Sequence, residues 1–151
     1  MRSFASLFVA VCAATVRADY VQIAQWLGGD CTGAPFSNDT GTCCCQQVVT
    51  PTPPYDTYFV NVTCLPARNV KIDLFTGYCA GTPVASTTTQ LPASCAPFHP
   101  FDDNAGGVSA EQNCVRGSPP SSLAGGATGG LMVGAFGAAL REAMDKAAAS
   151  R

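Results

Sequence analysis

The chain has 151 residues, a formal net charge of −2 at pH 7 and only 12% charged residues. Lys and Arg form no cluster, which argues against a nucleic-acid partner. The length allows one modest domain or two very small ones.

Residues 1–18 have the features of a secretory signal peptide in the usual order. Arg2 gives a positive start, residues 4–16 form an apolar run too short to span a membrane comfortably, and small residues occupy the two positions that a signal peptidase reads. The sequence therefore predicts cleavage before Asp19 and a protein that is secreted, extracellular or at the cell surface. A buried N-terminal helix is the alternative.

Cleavage there removes Cys12 and leaves an even number of cysteines: Cys31, Cys43, Cys44, Cys45, Cys64, Cys79, Cys95 and Cys114. In a secreted chain an even number predicts a disulfide framework, so all eight are expected to pair. A zinc site is the alternative, but the chain has no Cys-x-x-Cys pair and His99 is its only histidine. We expect no metal and no cofactor.

The cysteines recur at fixed spacing. A Cys-x-Gly-x-Pro motif begins at Cys31 and again 48 residues later, and two further cysteine pairs recur at an offset of 50: Cys45 with Cys95, and Cys64 with Cys114. This self-similarity predicts two tandem three-cysteine units, residues 19–66 and 67–116. In each motif the glycine, Gly33 or Gly81, is expected to take positive φ in a turn.

Strand patterns precede the motifs. Val70, Ile72 and Leu74 alternate with polar residues before the second motif, which predicts a strand with one buried face. Under the offset of 48, Ala24 and Trp26 correspond to Ile72 and Leu74. The first-copy strand is apolar on both faces, which predicts a central strand.

A second strand pattern ends each unit, at residues 58–64 and, more weakly, at 106–114. Residues 65–69 are expected to turn the first of these into the strand at 70–75 as an antiparallel hairpin. Together these patterns predict a mainly β fold: a small disulfide-rich antiparallel domain, sandwich-like and built from the two units, followed by a C-terminal helix.

We expect a disulfide within the second unit, Cys79 to Cys95, with Cys31 to Cys43 or Cys45 as its counterpart. Cys64 and Cys114 would pair with the remaining cysteines. Two sequons, at Asn38 and Asn61, predict N-linked glycans on an extracellular surface.

The unit from Phe75 to Gly81, with Cys95 and Cys114, resembles secreted cysteine-rich tandem-repeat proteins of protists, whose units have the form aromatic-x-x-x-Cys-x-Gly. The stretch from Trp26 to Gly33 is similar to a degenerate second unit. Such proteins are mostly uncharacterised, and the resemblance implies an extracellular structural or surface role without an active site. Cys43 and Cys44 depart from the pattern.

The sequence offers little catalytic chemistry. His99 lies between two Pro-Phe pairs, without the positioned partners that a triad requires. Asp102, Asp103 and Asn104 precede a glycine pair and suit calcium in residue type, but their spacing is not that of an EF-hand loop, and a solvated turn is the favoured reading. We expect no enzyme activity.

Composition changes after Cys114. Residues 117–129 predict a Gly/Pro/Ser linker, and residues 130–149 predict a helix whose apolar stripe would contact a second copy or another extracellular protein. Residues 123–140 are uncharged and near the minimum length for a membrane span, which is the alternative, as is disorder.

Two hypotheses for function follow. The first is a non-enzymatic extracellular structural or surface-coat protein that self-assembles into filaments or a matrix. The alternative is a cell-surface recognition module for glycans or proteins, with contacts near the turns: Trp26, Phe36, Phe75 and Tyr78. Of these, Trp26 and Phe75 fit strand packing better than binding. A disulfide-dense enzyme inhibitor is a third reading.

Overall fold

The computed structural model describes residues 19–41, 45–50, 53–98, 108–117 and 134–150. They contain eight strands and one helix: β1 Tyr20–Leu27, β2 Ser37–Gly41, β3 Gln46–Val49, β4 Thr57–Cys64, β5 Asn69–Phe75, β6 Ala85–Gln90, β7 Ala96–Phe98, β8 Val108–Val115 and α1 Gly134–Ala149. Every strand pair is antiparallel. The predicted mainly β, disulfide-rich fold with a C-terminal helix is confirmed.

Each sheet draws half of its strands from each sequence unit. The first sheet has the order β2-β1-β8-β7 and the second the order β3-β4-β5-β6. Exchanging β1 with β5, β2 with β6, β3 with β7 and β4 with β8 converts one order into the other. The topology therefore repeats itself within the chain, and neither unit forms a sheet of its own.

Pairing across the strands corrects the alignment of β1 with β5 by one residue. Val21 lies opposite Cys114 in the first sheet, and Val70 lies opposite Cys64 in the second. Because these cysteines are equivalent in the repeat, Val21 corresponds to Val70, an offset of 49. The first unit thus has one residue more between Val21 and Cys31 than the second has between Val70 and Cys79.

This single residue decides which face of the sheet each side chain occupies, because neighbouring strand residues point to opposite faces. Trp26 therefore corresponds to Phe75 and not to Leu74, so the predicted equivalence was wrong. Ile23 and Ile72 are the matched pair, and both lie in the core. The prediction that β1 is a central strand is confirmed, since it lies between β2 and β8.

One hydrophobic core joins both sheets and the helix. Its buried residues are Val21, Ile23, Val48, Tyr58, Val60, Val62, Val70, Ile72, Leu74, Leu91, Ala110, Phe136, Ala139, Leu140, Ala143, Met144 and Ala147. Burying each large aliphatic or aromatic side chain stabilises the fold by about 1.5–3 kcal/mol. Since the set includes residues of both units, the units fold around a shared interior.

The predicted hairpin between β4 and β5 is confirmed. Leu65 N–H donates to the Asn69 carbonyl over 2.8 Å, and the tip residues Ala67 and Arg68 have φ of 56° and 59°. Two consecutive positive φ values match the twist of a tight hairpin. The Arg68 guanidinium also donates to the backbone carbonyl of Gln112 in β8, 2.6 Å away, so this turn connects the second sheet to the first.

Asp19 makes the corresponding connection from the first sheet. Under the offset of 49 it is the counterpart of Arg68. One carboxylate oxygen accepts the Cys64 N–H of β4 over 2.8 Å, and the other accepts the Gly117 N–H over 3.2 Å. Asp19 is 2% exposed, and a buried carboxylate needs such hydrogen bonds to offset its lost hydration.

The helix begins at Gly134 and ends at Ala149; residues 130–133 of the predicted helix lie outside the described residues. It packs against β5 and β6. Phe136, Leu140 and Met144 are at most 2% exposed. The expectation that this apolar stripe would contact a partner is wrong, because the stripe is buried in the chain's own core.

Gln112 of β8 anchors the start of the helix. Its side chain is 2% exposed, and its Oε1 accepts the Phe136 N–H over 3.3 Å. The first N–H groups of a helix lack partners within the helix, so this contact satisfies a buried donor. Gly134 has a φ of 60°, and a Cβ there would lie 2.5 Å from Gln112 Nε2.

We predict that Gly134→Ala destabilises the fold by about 1–3 kcal/mol, because alanine is strained at this φ and its methyl group displaces the Gln112 amide. Urea denaturation followed by circular dichroism measures the change. Gly77→Ala is the matched control, since a Cβ at Gly77 meets nothing within 4 Å. Equal stability of the two variants would contradict the role of Gly134.

Candidate functional site

The two Cys-x-Gly-x-Pro turns have the same backbone form. Gly33 has a φ of 81° and Gly81 a φ of 82°, as the sequence predicted. The Trp26 indole N–H donates to the Gly33 carbonyl over 3.0 Å, so the first turn folds back over the outer face of the first sheet. Phe75, the counterpart of Trp26, is also buried. The prediction that these two aromatics serve in packing is confirmed.

The disulfides connect the two units. Three lie in the described residues, and their cysteines are equivalent in pairs under the repeat: Cys31–Cys95, Cys45–Cys79 and Cys64–Cys114. The first two are counterparts of each other, and the third joins two equivalent residues. The expected Cys79–Cys95 bond within one unit, and the bond of Cys31 to Cys43 or Cys45, are therefore wrong.

This connectivity follows from the fact that each sheet is built from strands of both units. Cys79 follows β5 and Cys45 precedes β3, the two neighbours of β4 in the second sheet. Cys31 follows β1 and Cys95 precedes β7, the two neighbours of β8 in the first sheet. Each bond thus ties an inner strand to an edge strand of the same sheet. Cys43 and Cys44 lie outside the described residues.

The disulfides also indicate a compartment. Several structural disulfides in a small domain are typical of an oxidising, extracellular-type environment. In the part of the chain that the structure describes, no helix combines the length and the apolar composition that a membrane crossing requires.

An exposed aromatic patch lies on the outer face of the second sheet. The rings of Phe59 and Tyr78 meet edge to face, with centroids 6.0 Å apart, and Tyr78 is 73% exposed. Gln47 pairs with Phe59 across β3 and β4, and Val49 pairs with Thr57 two residues away, so both add to the same face. Gln47 and Val49 are exposed as well.

The sequence identified only Tyr78 of this aromatic patch. Phe59 could have been found, since alternation in β4 assigns it to the face opposite the buried residues Tyr58 and Val60. Phe36, the other exposed aromatic named from the sequence, is 54% exposed and follows the first turn. Its amide N–H donates to the Gln25 carbonyl over 2.9 Å.

Beside the aromatic patch lies an ion pair between the buried carboxylate of Asp73 and the partly exposed Lys71. Asp73 of β5 is 7% exposed, and its carboxylate accepts hydrogen bonds from Lys71 Nζ, 2.9 Å away, and from the Ser86 hydroxyl. Both oxygens thus have partners, which suits a role in holding β5 against β6. In the described residues, no three His, Cys, Asp or Glu side chains converge as a metal site would require.

Both sequons lie on outer faces. Asn38 is exposed on the edge strand β2, and its Oδ1 accepts a hydrogen bond from Gln22 Nε2 over 3.2 Å. Asn61 is half-buried on the inner strand β4, opposite Asp73, and its Oδ1 is buried without a partner. Glycosylation at both remains a prediction. Residues 1–18, predicted as a signal peptide, lie outside the described residues, as do His99 and residues 102–104.

No protein-family model matches the chain, and neither a curated protein nor a solved structure matches it significantly.

We predict that non-reducing digestion and mass mapping will recover three cross-unit peptide pairs: Cys31 with Cys95, Cys45 with Cys79, and Cys64 with Cys114. A reduced and alkylated digest is the control and should lose all three. A peptide joining Cys79 to Cys95 would contradict the disulfides that join the two units, because that bond lies within one unit.

Proposed function

We propose that the protein is a non-enzymatic, extracellular structural or surface-coat component whose copies associate with each other. The observation that carries the proposal is that, in the described residues, each sheet ends in two edge strands: β2 and β7 in the first sheet, β3 and β6 in the second. Such edges are templates for pairing with another chain. Secretion through residues 1–18 is part of the proposal.

The cross-unit disulfides support a durable role outside the cell. They close chain segments of 34, 50 and 64 residues, and loops of this size correspond to about 4 kcal/mol each in the chain-entropy account. A building block of a coat or matrix benefits from such stability, because it must remain folded without cellular chaperones.

We predict that the processed protein, purified with its disulfides intact, forms multimers at high concentration. Sedimentation velocity over a concentration series measures the mass, before and after enzymatic removal of N-glycans, since glycans near an edge can block pairing. A strict monomer in both samples at the highest concentration would contradict the structural proposal.

The aromatic patch favours a second candidate function, recognition of a glycan. Tyr78 presents its ring to solvent beside Phe59, and an exposed aromatic surface with a neighbouring amide, here that of Gln47, can pack against a sugar ring and hydrogen-bond its hydroxyl groups. This function needs no assembly, so it is separable from the first.

For this second candidate we predict that a glycan array identifies a ligand and that Tyr78→Ala weakens its binding by about tenfold or more, since aromatic anchors carry much of the energy of such contacts. Phe36→Ala is the control, because Phe36 is an exposed aromatic that follows the first turn and is not part of the aromatic patch. An array without hits, or equal losses in both variants, would contradict recognition through the aromatic patch.

A further inference from the structure

The four sheet edges in the described part of the chain differ in how well they are protected. β7 has three residues, one of which is Pro97, and β3 has four. β2 carries the Asn38 sequon. β6 is the longest of the four, with six residues, and its sequence ASTTTQ contains neither proline nor charge. Short strands, prolines and bulky or charged groups are the usual protection of an edge, and β6 has none of them.

The hydrogen-bond pattern shows which backbone groups of β6 face outward. Leu91 N–H donates to the Arg68 carbonyl over 2.9 Å, and these residues continue the register in which Asn69 lies opposite Gln90. Antiparallel pairs alternate between bonded and non-bonded. The pairs at Ser86, Thr88 and Gln90 are therefore the non-bonded ones, and their N–H and C=O groups point away from β5.

We propose that the β6 edge is the interface with a second copy of this chain, whose own β6 pairs with it in antiparallel orientation about a two-fold axis at Thr88. The two four-stranded sheets then become one sheet of eight strands. This inference rests on the proposed structural function and names the surface through which assembly begins.

The register follows from the outward groups. An axis at Thr88 sets Thr88 opposite Thr88 of the second copy and Ser86 opposite Gln90, so that every outward residue of β6 is hydrogen-bonded. Other registers leave at least one of them without a partner. All three side chains are exposed and uncharged, so a self-complementary contact brings no like charges together.

The packing of α1 against β6 makes the β6 edge suited to pairing with a second copy of this chain. Ala85, Thr87 and Thr89 are partly buried, and α1 packs against β6 on this inner side. The outer side carries Ser86, Thr88 and Gln90. A second copy matches both layers at once, because its own helix continues the inner layer and its own polar residues continue the outer one.

The first test compares Thr88→Pro with Thr88→Ala in the processed protein with intact disulfides. Proline removes the outward N–H and is tolerated at an edge strand, so the variant should fold but lose association, raising the dimer dissociation constant at least about tenfold. Alanine keeps the N–H and should associate like the wild type. Sedimentation velocity measures mass, and circular dichroism with urea denaturation verifies that each variant is folded.

The second test uses charge and does not depend on how proline is tolerated. Thr88→Lys alone and Thr88→Glu alone should each weaken association, because like charges meet at the axis. Mixing the two variants should restore a heterodimer, and 0.5 M salt should reduce the difference. Thr57→Lys, an exposed position on the inner strand β4, is the control and should associate normally.

The outcomes separate the two proposals. A wild type that assembles while all Thr88 variants also assemble overturns the β6 interface and leaves the structural function standing. A wild type that is strictly monomeric overturns both. Loss of association in Thr88→Ala, or no rescue on mixing Lys and Glu variants, overturns backbone pairing centred on Thr88.

Discussion

The Cys64–Cys114 disulfide fixes where the two sheets meet. Its cysteines are equivalent in the repeat, and they lie in β4 and β8, inner strands of different sheets. Their Cα atoms are 5.7 Å apart, whereas packed sheets normally lie about 10 Å apart. The sheets must therefore converge at this bond and separate away from it. The helix occupies the space beside β5 and β6, and its start is held by Gln112 of β8, two residues before Cys114.

The helix also explains where the repeat loses its symmetry. Val62 of β4 and Gln112 of β8 occupy equivalent positions, opposite Ile72 and Ile23 respectively. Val62 packs in the core, but Gln112 hydrogen-bonds the start of the helix. A buried amide without a partner would be costly, so glutamine is stable at one position only because the helix begins there. One helix cannot serve both halves, so the two equivalent positions carry different residues.

The outer faces of the two sheets also differ. The contact between Phe59 and Tyr78 requires β4 beside β5 and a loop after β5 that the Cys45–Cys79 bond holds. At the position equivalent to Phe59, the first sheet has Ser109, whose hydroxyl accepts the Cys31 N–H over 3.0 Å. The turn at Cys31 is therefore held to its sheet by a hydrogen bond, whereas the turn at Cys79 exposes an aromatic surface. Alternation in β4 indicated that Phe59 faces outward, but nothing in the sequence paired it with a ring nineteen residues away.

Local features of this protein were determined by the sequence itself: the alternating strand β5, the hairpin at residues 65–69, the positive φ of Gly33 and Gly81, and the helical stripe near the C-terminus. Each depends on neighbours along the chain, whose preferences act without tertiary context. The tertiary structure decided the exchange of strands between units, the disulfide partners, the face of Trp26 and the burial of the helix. Equivalent cysteines compete for the same partners, and one added residue before Cys31 reverses every face of β1. The disulfide partners and the faces of β1 are determined only when both sheets pack around one core. The free energy that favours one arrangement over the others comes from burial and long-range strand pairing.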